Sequence, residues 1–295
     1  MLFTTCHKRR NKQKMKFVLL ATHSTPHLQN TLASFALASV KPEVLGWNEN
    51  WKGWKWRLEK YLDFCNTLIN EKAQSLKNNT TTVDNDKEEV VAFIDAFDVL
   101  CLRQDVYPNF ENLFNSFKSD IVFSSEWWCG SSLNCGSTAK FSDERTCLSI
   151  DRNLDINSKK NNKVNVGFVC GNVKSLAKMY SDVLNLSKSI PSHNNESFDD
   201  QKAISQWVDS DLSTSLRLSL DRRGLLCKTV NVFDCLEKKH KPFFAHFPGP
   251  MLKIGLFPHY NVNALSVLGQ KAKLRDLYKF VYASICIIII TFIIS

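Results

Sequence analysis

The stretch VVAFIDAFDVLCL, Val90 to Leu102, restricts this chain more than any other part of it. Its apolar run is that of a strand buried on both faces, yet it carries two carboxylates, Asp95 and Asp98. Charged side chains are almost never fully buried without a partner. The strand must therefore end near the first of them. In a regular strand, positions 95 and 98 point to opposite faces, and they converge only if the backbone bends between them. Bent in that way, the pair can hold a divalent cation, and hard carboxylate oxygens suit Mg²⁺ or Mn²⁺. A bare D-x-x-D spacing describes equally well a strand-end turn with one solvated acid and one cap.

Strand-like runs alternate with helical periodicity on either side. MKFVLLATH reads as a first buried strand, and TPHLQNTLASFALAS as a helix with Thr25 as cap and Pro26 in its first position. PEVLGW is a second strand and WRLEKYLDFCNTLINEKAQSL a second helix. After the Asp95 strand come helix NFENLFNSF and strand DIVFSSE, a polar excursion from Cys129 to Val164, then VNVGFVCGN as a strand. Helices VKSLAKMYSDVLNL and DDQKAISQWV follow, with strands in LCKTVNVFDCL and PFFAHFPGP. This order predicts an α/β fold, a Rossmann-like, mostly parallel sheet with flanking helices, as one domain over 16–275. Ligands of such sheets bind beyond the carboxyl ends of the strands, where Asp95 and Asp98 stand.

An apolar content of 44% with 20 Phe and 7 Trp supplies a packed core. The net charge of +9 is concentrated: Lys8, Arg9, Arg10, Lys12, Lys14 and Lys16 face no acid in the first 16 residues. Residues 1–15 read as a solvated basic arm, and no nucleic-acid-reading motif follows them. The ten cysteines have irregular spacing and no C-x-x-C pair, which argues against a zinc finger. Cys129, Cys135 and Cys147 are close enough in sequence for a local bridge in an oxidising compartment.

The chain closes on FVYASICIIIITFIIS, apolar from Phe280 to Ile294. Fifteen helical residues reach roughly 22 Å, against a hydrocarbon core of about 30 Å. That is short for a span but tolerable in a thin or locally thinned bilayer. Residues 280–295 are expected to form a hydrophobic helix and a single-pass C-terminal anchor. The compartment stays open between the cytosolic face and the endoplasmic reticulum or Golgi.

Three further features carry chemistry. His246, in AHFPGP, follows an apolar run, where a neutral imidazole suits Mn²⁺ as a third ligand and a structural histidine is the plainer alternative. Asp199 and Asp200 precede Gln201 at a helix start, as capping residues or as an acid pair facing a hydroxylated acceptor. WNENWKGWKW packs four Trp and two Lys into Trp47–Trp56, a composition suited to base stacking and phosphate pairing, or to covering a core edge.

In order and spacing these pieces resemble the glycosyltransferase domain of the lysyl hydroxylases (procollagen-lysine dioxygenases) and, more distantly, the collagen galactosyltransferases. The resemblance runs from about Lys16 to Gly255. LGWNENWKGW is similar to that family's Leu-Gly…Trp-Lys/Arg-Gly-Gly segment, and AFIDAFDVL to its Phe-Val-Asp-Ser-Tyr-Asp-Val-Ile strand. DIVFSSEWWC, VNVGFVCGN, DDQKAIS and AHFPGP match its Ser-Ala-Glu, Asn-Ser-Gly-Gly, acidic-Gln and His-Gly-Asn-Gly-Pro pieces.

The resemblance implies a GT-A fold, Mn²⁺ as cofactor and a UDP-sugar as donor. It would have Asp95, Asp98 and His246 hold the metal, and Phe97 stack on uracil where the family has Tyr. It would place Thr22, Trp51, Lys55, Asn165 and Gly249 against the donor, and make Asp199 and Asp200 the catalytic acids on the sugar or acceptor side. The chain departs from the pattern at Val166 and Phe168, which replace a small Ser and a second Gly and are expected to crowd the sugar pocket. Gly130 and Pro248 also stand where the family has Trp and Asn. No His-x-Asp…His iron site of a hydroxylase is present.

The implied activity is transfer of galactose or glucose to an acceptor hydroxyl, on hydroxylysine or a glycan. The alternative is an inactive, membrane-anchored nucleotide-binding relative. A metal phosphohydrolase ranks last, because a second His/Asp cluster for two metals is missing.

Overall fold

The computed structural model describes residues 15–78, 88–126, 163–189, 198–230 and 242–248. In chain order the elements are β1 (Met15–Leu20), α1 (Pro26–Leu37), β2 (Glu43–Leu45), α2 (Trp54–Asn78), β3 (Val90–Asp95), β4 (Val99–Cys101), α3 (Val106–Ser116) and β5 (Ile121–Glu126). Then follow β6 (Lys163–Asn172), α4 (Val173–Ser189), α5 (Asp200–Asp209), β7 (Leu218–Asp221), β8 (Cys227–Thr229) and β9 (Phe244–His246). β1 begins at Met15, the last residue assigned to the basic arm. The remainder of that arm, the three clustered cysteines and the apolar segment 280–295 lie outside the described residues. Among the described residues, no helix is long and apolar enough to cross a membrane.

The start of α1 is as its sequence predicts. Pro26 occupies the first turn, and the Thr25 hydroxyl accepts the Leu28 N–H at 3.0 Å, satisfying one orphan donor. The strands form one mixed sheet in the order β2-β1-β3-β6-β5-β8-β9-β4, with β7 also paired to β5. β1 runs parallel to β2 and β3, and β5 parallel to β7 and β8. At the centre, β6 is antiparallel to both β3 and β5, so the expected mostly parallel sheet is interrupted in the middle. β3 and β4 are far apart in that order, yet only residues 96–98 separate them. Such a link spans at most about 14 Å. The sheet must therefore curl until β4, paired to β9, lies below the end of β3.

Alternation within the strands builds two cores. Val18, Leu20, Val91, Phe93, Ile121 and Phe123 face α2, α4 and α5, among them Tyr61, Tyr180 and Trp207. Phe17, Leu19, Ala92, Ile94 and Val122 face α1 and α3, with Phe35, Phe110 and Phe114. Both faces are covered, which is why these strands read as continuous apolar runs.

One buried acid belongs to the scaffold. Asp221, at the end of β7, accepts N–H bonds from Leu225 (2.8 Å) and Leu226 (2.7 Å), and a third from Cys227 (3.1 Å), fixing the turn into β8. Asp221→Ala would strand two buried donors and a half-buried one, and denaturant melts should show a loss of roughly 3 kcal/mol. Burial pushes this carboxyl up to about 6, against the three donors that favour its charge. A raised folded-state value stabilises below the ordinary range of about 4, and that contribution is lost as pH rises through about 6. The stability gap between wild type and Asp221→Asn should therefore narrow across that window and level off above it.

Candidate metal and donor site

β3 ends at Asp95, the chain turns through residues 96–98, and β4 begins at Val99. This is the bend the two carboxylates require. β4 pairs antiparallel with β9, with Val99 opposite His246, and Phe247 N–H donates to the Asp98 carbonyl at 2.8 Å. That register sets His246 beside Asp98, across 148 residues of sequence. One ligand atom from each of Asp95, Asp98 and His246 lies within 4.8 Å of the others. His246 Nε2 is 3.7 Å from Asp95 Oδ2 and 3.6 Å from Asp98 Oδ1. Asp98 and His246 are buried, and Asp95 is partly exposed at the mouth.

Asn165 decides which imidazole nitrogen faces the carboxylates. Its Oδ1 accepts the Gly167 N–H at 3.0 Å and a Ser124 hydroxyl bond at 3.2 Å, while its Nδ2 donates to Glu126 Oε2 at 2.9 Å. An oxygen accepting those bonds can only accept again, so His246 Nδ1 is the donor in the 2.9 Å contact between them. The lone pair of the neutral ring then sits on Nε2, turned toward Asp95 and Asp98. Glu126 is itself held by Gln201 Nε2 at 2.6 Å. Burial pushes the Glu126 carboxyl up, with Asn165 and Gln201 opposing. Burial pulls the His246 imidazole down, but Asp98, Asp95 and Glu126 outweigh it and hold the ring above its ordinary value.

Gly167 makes room for that ring. A Cβ there would lie 2.2 Å from His246 Cε1 and 2.7 Å from each ring nitrogen, an overlap no side chain tolerates. Behind Asp95 lies Arg57, buried in the first turns of α2. Its Nη1 donates to Asp95 Oδ1 at 2.5 Å, its Nε donates to Asp200 Oδ2 at 2.7 Å, and its Nη2 contacts the same Asp200 oxygen. The Trp54 ring packs over the guanidinium at 4.7 Å. Burial pulls the guanidinium down, and Asp200 and Asp95 more than restore it, so Arg57 stays charged.

The other residues singled out from the sequence fall into three places. Thr22 and Phe97 lie beyond neighbouring parallel strands, where Leu20 stands opposite Asp95. Thr22 Oγ1 is 2.8 Å from His23 Nδ1, and the half-buried Phe97 ring is 6.4 Å from that of His23. Trp51 is half-exposed, edge-on to Trp54 (5.1 Å) and Trp56 (5.6 Å), and Lys55 is exposed on the first turn of α2. Gly249 lies outside the described residues.

Several positions differ from the sequence reading. Asn165 is buried behind His246 rather than lining a donor surface, because its side chain is consumed by Gly167, Glu126 and His246. Asp199 caps α5 by accepting the Lys202 N–H at 3.0 Å. Asp200 is only 5% exposed and points inward to Arg57 instead of toward an acceptor. Phe168 does not crowd a pocket: its ring is buried in the core, 6.2 Å from Phe110 and 5.8 Å from Phe244. Val166 is half-buried and packs against the other core. Arg57, Glu126 and Gly167 were not anticipated. Glu126 gave the same signal as Asp95, an acid closing an apolar strand, and an isolated Gly inside a strand marks a close approach.

The donor set fits a divalent cation of the Mn²⁺ kind: two hard carboxylate oxygens and one borderline imidazole nitrogen, already turned inward. The family model described as PLOD GT domain matches residues 11–134. Over that span the resemblance to the lysyl hydroxylase glycosyltransferase domain holds. The matched segment contains Thr22, Trp51, Lys55, Arg57, Asp95, Phe97, Asp98 and Glu126, while Asn165, Asp199, Asp200 and His246 lie beyond it. No curated protein matches the chain. Among solved structures, a glycosyltransferase involved in the glycosylation of the major capsid of PBCV-1 is 11% identical, covering 83% of this chain and 98% of that one with a TM-score of 0.43. A197 from STIV is 13% identical, covering 70% and 81%, with a TM-score of 0.34. Likeness of that degree carries no functional conclusion. The likeness to a glycosyltransferase domain is therefore that of residues 11–134.

Proposed function

We propose that the protein is a Mn²⁺-dependent glycosyltransferase of the GT-A type, transferring galactose or glucose from a UDP-sugar to an acceptor hydroxyl on a protein or glycan. The observation that supports this most is the convergence of Asp95, Asp98 and His246 at the end of β3, in a chain whose first part matches a glycosyltransferase domain. Asp95 Oδ2, Asp98 Oδ1 and His246 Nε2 would hold the cation. When bound, it would act as a Lewis acid, balancing the diphosphate charge and stabilising UDP as it leaves.

The chain's own residues prepare that site. Asn165 keeps the proton of His246 on Nδ1, and Gly167 leaves space for the ring. Phe97 would offer its face to the uracil and Thr22 a polar edge to the uridine, with Trp51 and Lys55 on the outer side of the donor. In the transfer, the acceptor oxygen bonds to the anomeric carbon while that carbon's bond to the UDP oxygen breaks. The electron pair leaves with UDP, and the acceptor proton passes to a base. Asp199, the less buried member of the acid pair, is assigned to the acceptor side.

The test is UDP release by the full chain, in detergent, over a panel of UDP-sugars with and without Mn²⁺. Release from one donor, dependent on the metal, supports the reading. Absence of UDP binding in the presence of Mn²⁺ overturns it.

Residues 280–295 complete the proposal as a single-pass anchor of an endoplasmic reticulum, Golgi or cytosolic-face enzyme, on the strength of their thirteen apolar residues and the absence of any charge. In fractionated cells the full chain should sediment with membranes and resist carbonate extraction, while a chain ending at residue 279 should be released. Equal release of both removes the anchor.

A further inference from the structure

Arg57 is buried, pairs with two carboxylates and lies against an aromatic ring, yet nothing in the proposed chemistry uses it. It reaches Asp95 through Oδ1 alone, leaving Oδ2 as the oxygen that faces His246 Nε2. A carboxylate at a strand end otherwise rotates freely about its last bond and can offer either oxygen, or both. The planar fork of the guanidinium removes that freedom, since its Nε and Nη2 are held on Asp200. Trp54, packed over the guanidinium, keeps the fork in place.

A positive charge in contact with a metal-facing carboxylate has a cost. It cancels part of the negative potential that draws in a divalent cation. Asp200 removes that difficulty. Its carboxylate pairs with the same guanidinium, so the positive charge of Arg57 is offset by Asp200 rather than by Asp95 alone. The first residue of α5 is thus tied into the same arrangement, 143 residues from Arg57.

We infer that Arg57 is a positioning residue that selects the oxygen Asp95 presents to the cation, and that Asp200 is its counter-charge, so that the guanidinium does not cancel the charge Asp95 offers the ion. This rests on the metal reading proposed above. It also gives Asp200 a role distinct from catalysis: Asp200 acts through Arg57 and Asp95 and touches no substrate.

The experiment is Mn²⁺ binding to the full chain in detergent, with free Mn²⁺ read by electron paramagnetic resonance, beside thermal unfolding of the metal-free protein. Asp200→Asn keeps shape and hydrogen bonding but removes the charge. It should lower Mn²⁺ affinity about tenfold, the low end of the range known for groups behind metal ligands. Arg57→Lys keeps charge and loses the fork, and should lower affinity by about 10–100-fold. If Arg57→Lys does not fold, the apolar pair Arg57→Met with Asp200→Leu takes its place, since replacing a buried ion pair by apolar residues is often tolerated. That double variant should also bind Mn²⁺ at least tenfold more weakly. Folded variants that bind within twofold of wild type show that the pair is only structural, and overturn the inference while leaving the metal reading intact. A wild-type protein that binds no Mn²⁺ overturns the metal reading itself.

Discussion

Asp98→Asn should lower Mn²⁺-dependent UDP release by about 10²–10³-fold while the protein stays folded. The substitution is isosteric, and the backbone at this position is held independently of the side chain by the bond from Phe247 N–H to the Asp98 carbonyl. What changes is charge and ligand type. Asp98 Oδ1 lies 3.6 Å from His246 Nε2, and together with Asp95 Oδ2 it defines where a cation would sit. A neutral amide oxygen is a weaker ligand, and the site loses one of the charges that hold the ion against water. The readout is initial-rate UDP release over a Mn²⁺ titration, with circular dichroism confirming the fold. Partial recovery at high Mn²⁺ would mark the loss as one of affinity. Activity within a few-fold of wild type would remove Asp98 from the metal set.

The second large effect is expected at a residue with no side chain. In Gly167→Ala the added methyl falls 2.2 Å from His246 Cε1, so either the ring or strand β6 must move. β6 is the central strand, paired on both sides to β3 and β5, and has little freedom to shift. The imidazole is the element that yields, and in yielding it leaves both Asn165 and the two carboxylates. Overpacking of this kind costs about 1–3 kcal/mol of stability. Mn²⁺ affinity and turnover should fall toward the level of His246→Ala, although Gly167 ligates nothing. Unfolding curves together with Mn²⁺ titration separate the two consequences. If Gly167→Ala matches wild type in both, the ring is not confined as described.

Asp95 and Asp98 could be singled out from sequence because they violate a strong rule, charge at the end of a doubly buried strand. The Thr25 cap, the Pro26 start of α1 and most strand and helix positions were legible for a similar reason: they depend on neighbours three or four residues away. β7 was missed because LSLD is too short to stand out, and β4 because its apolar run is continuous with that of β3. The antiparallel setting of β6 could not be read at all, since strand direction is set by which neighbours a strand joins rather than by its own residues. Phe168 illustrates the same limit. Compared with a family motif it looked like an obstruction, but its position in the pleat sends the ring into the core.

The sequence by itself determined the alternation of elements, the two-sided burial of the strands and the presence of two acids that need compensation. Those follow from local periodicity and the cost of burying charge. Only the tertiary structure decided what compensates them. The curl of the sheet brings β9 against β4 and so sets His246 beside Asp98, and the packing of α2 and α5 on one face joins Arg57 to Asp95 and Asp200. Both arrangements span more than a hundred residues in part, and pairing over such separations is fixed by the packing of the whole sheet, which no local pattern encodes.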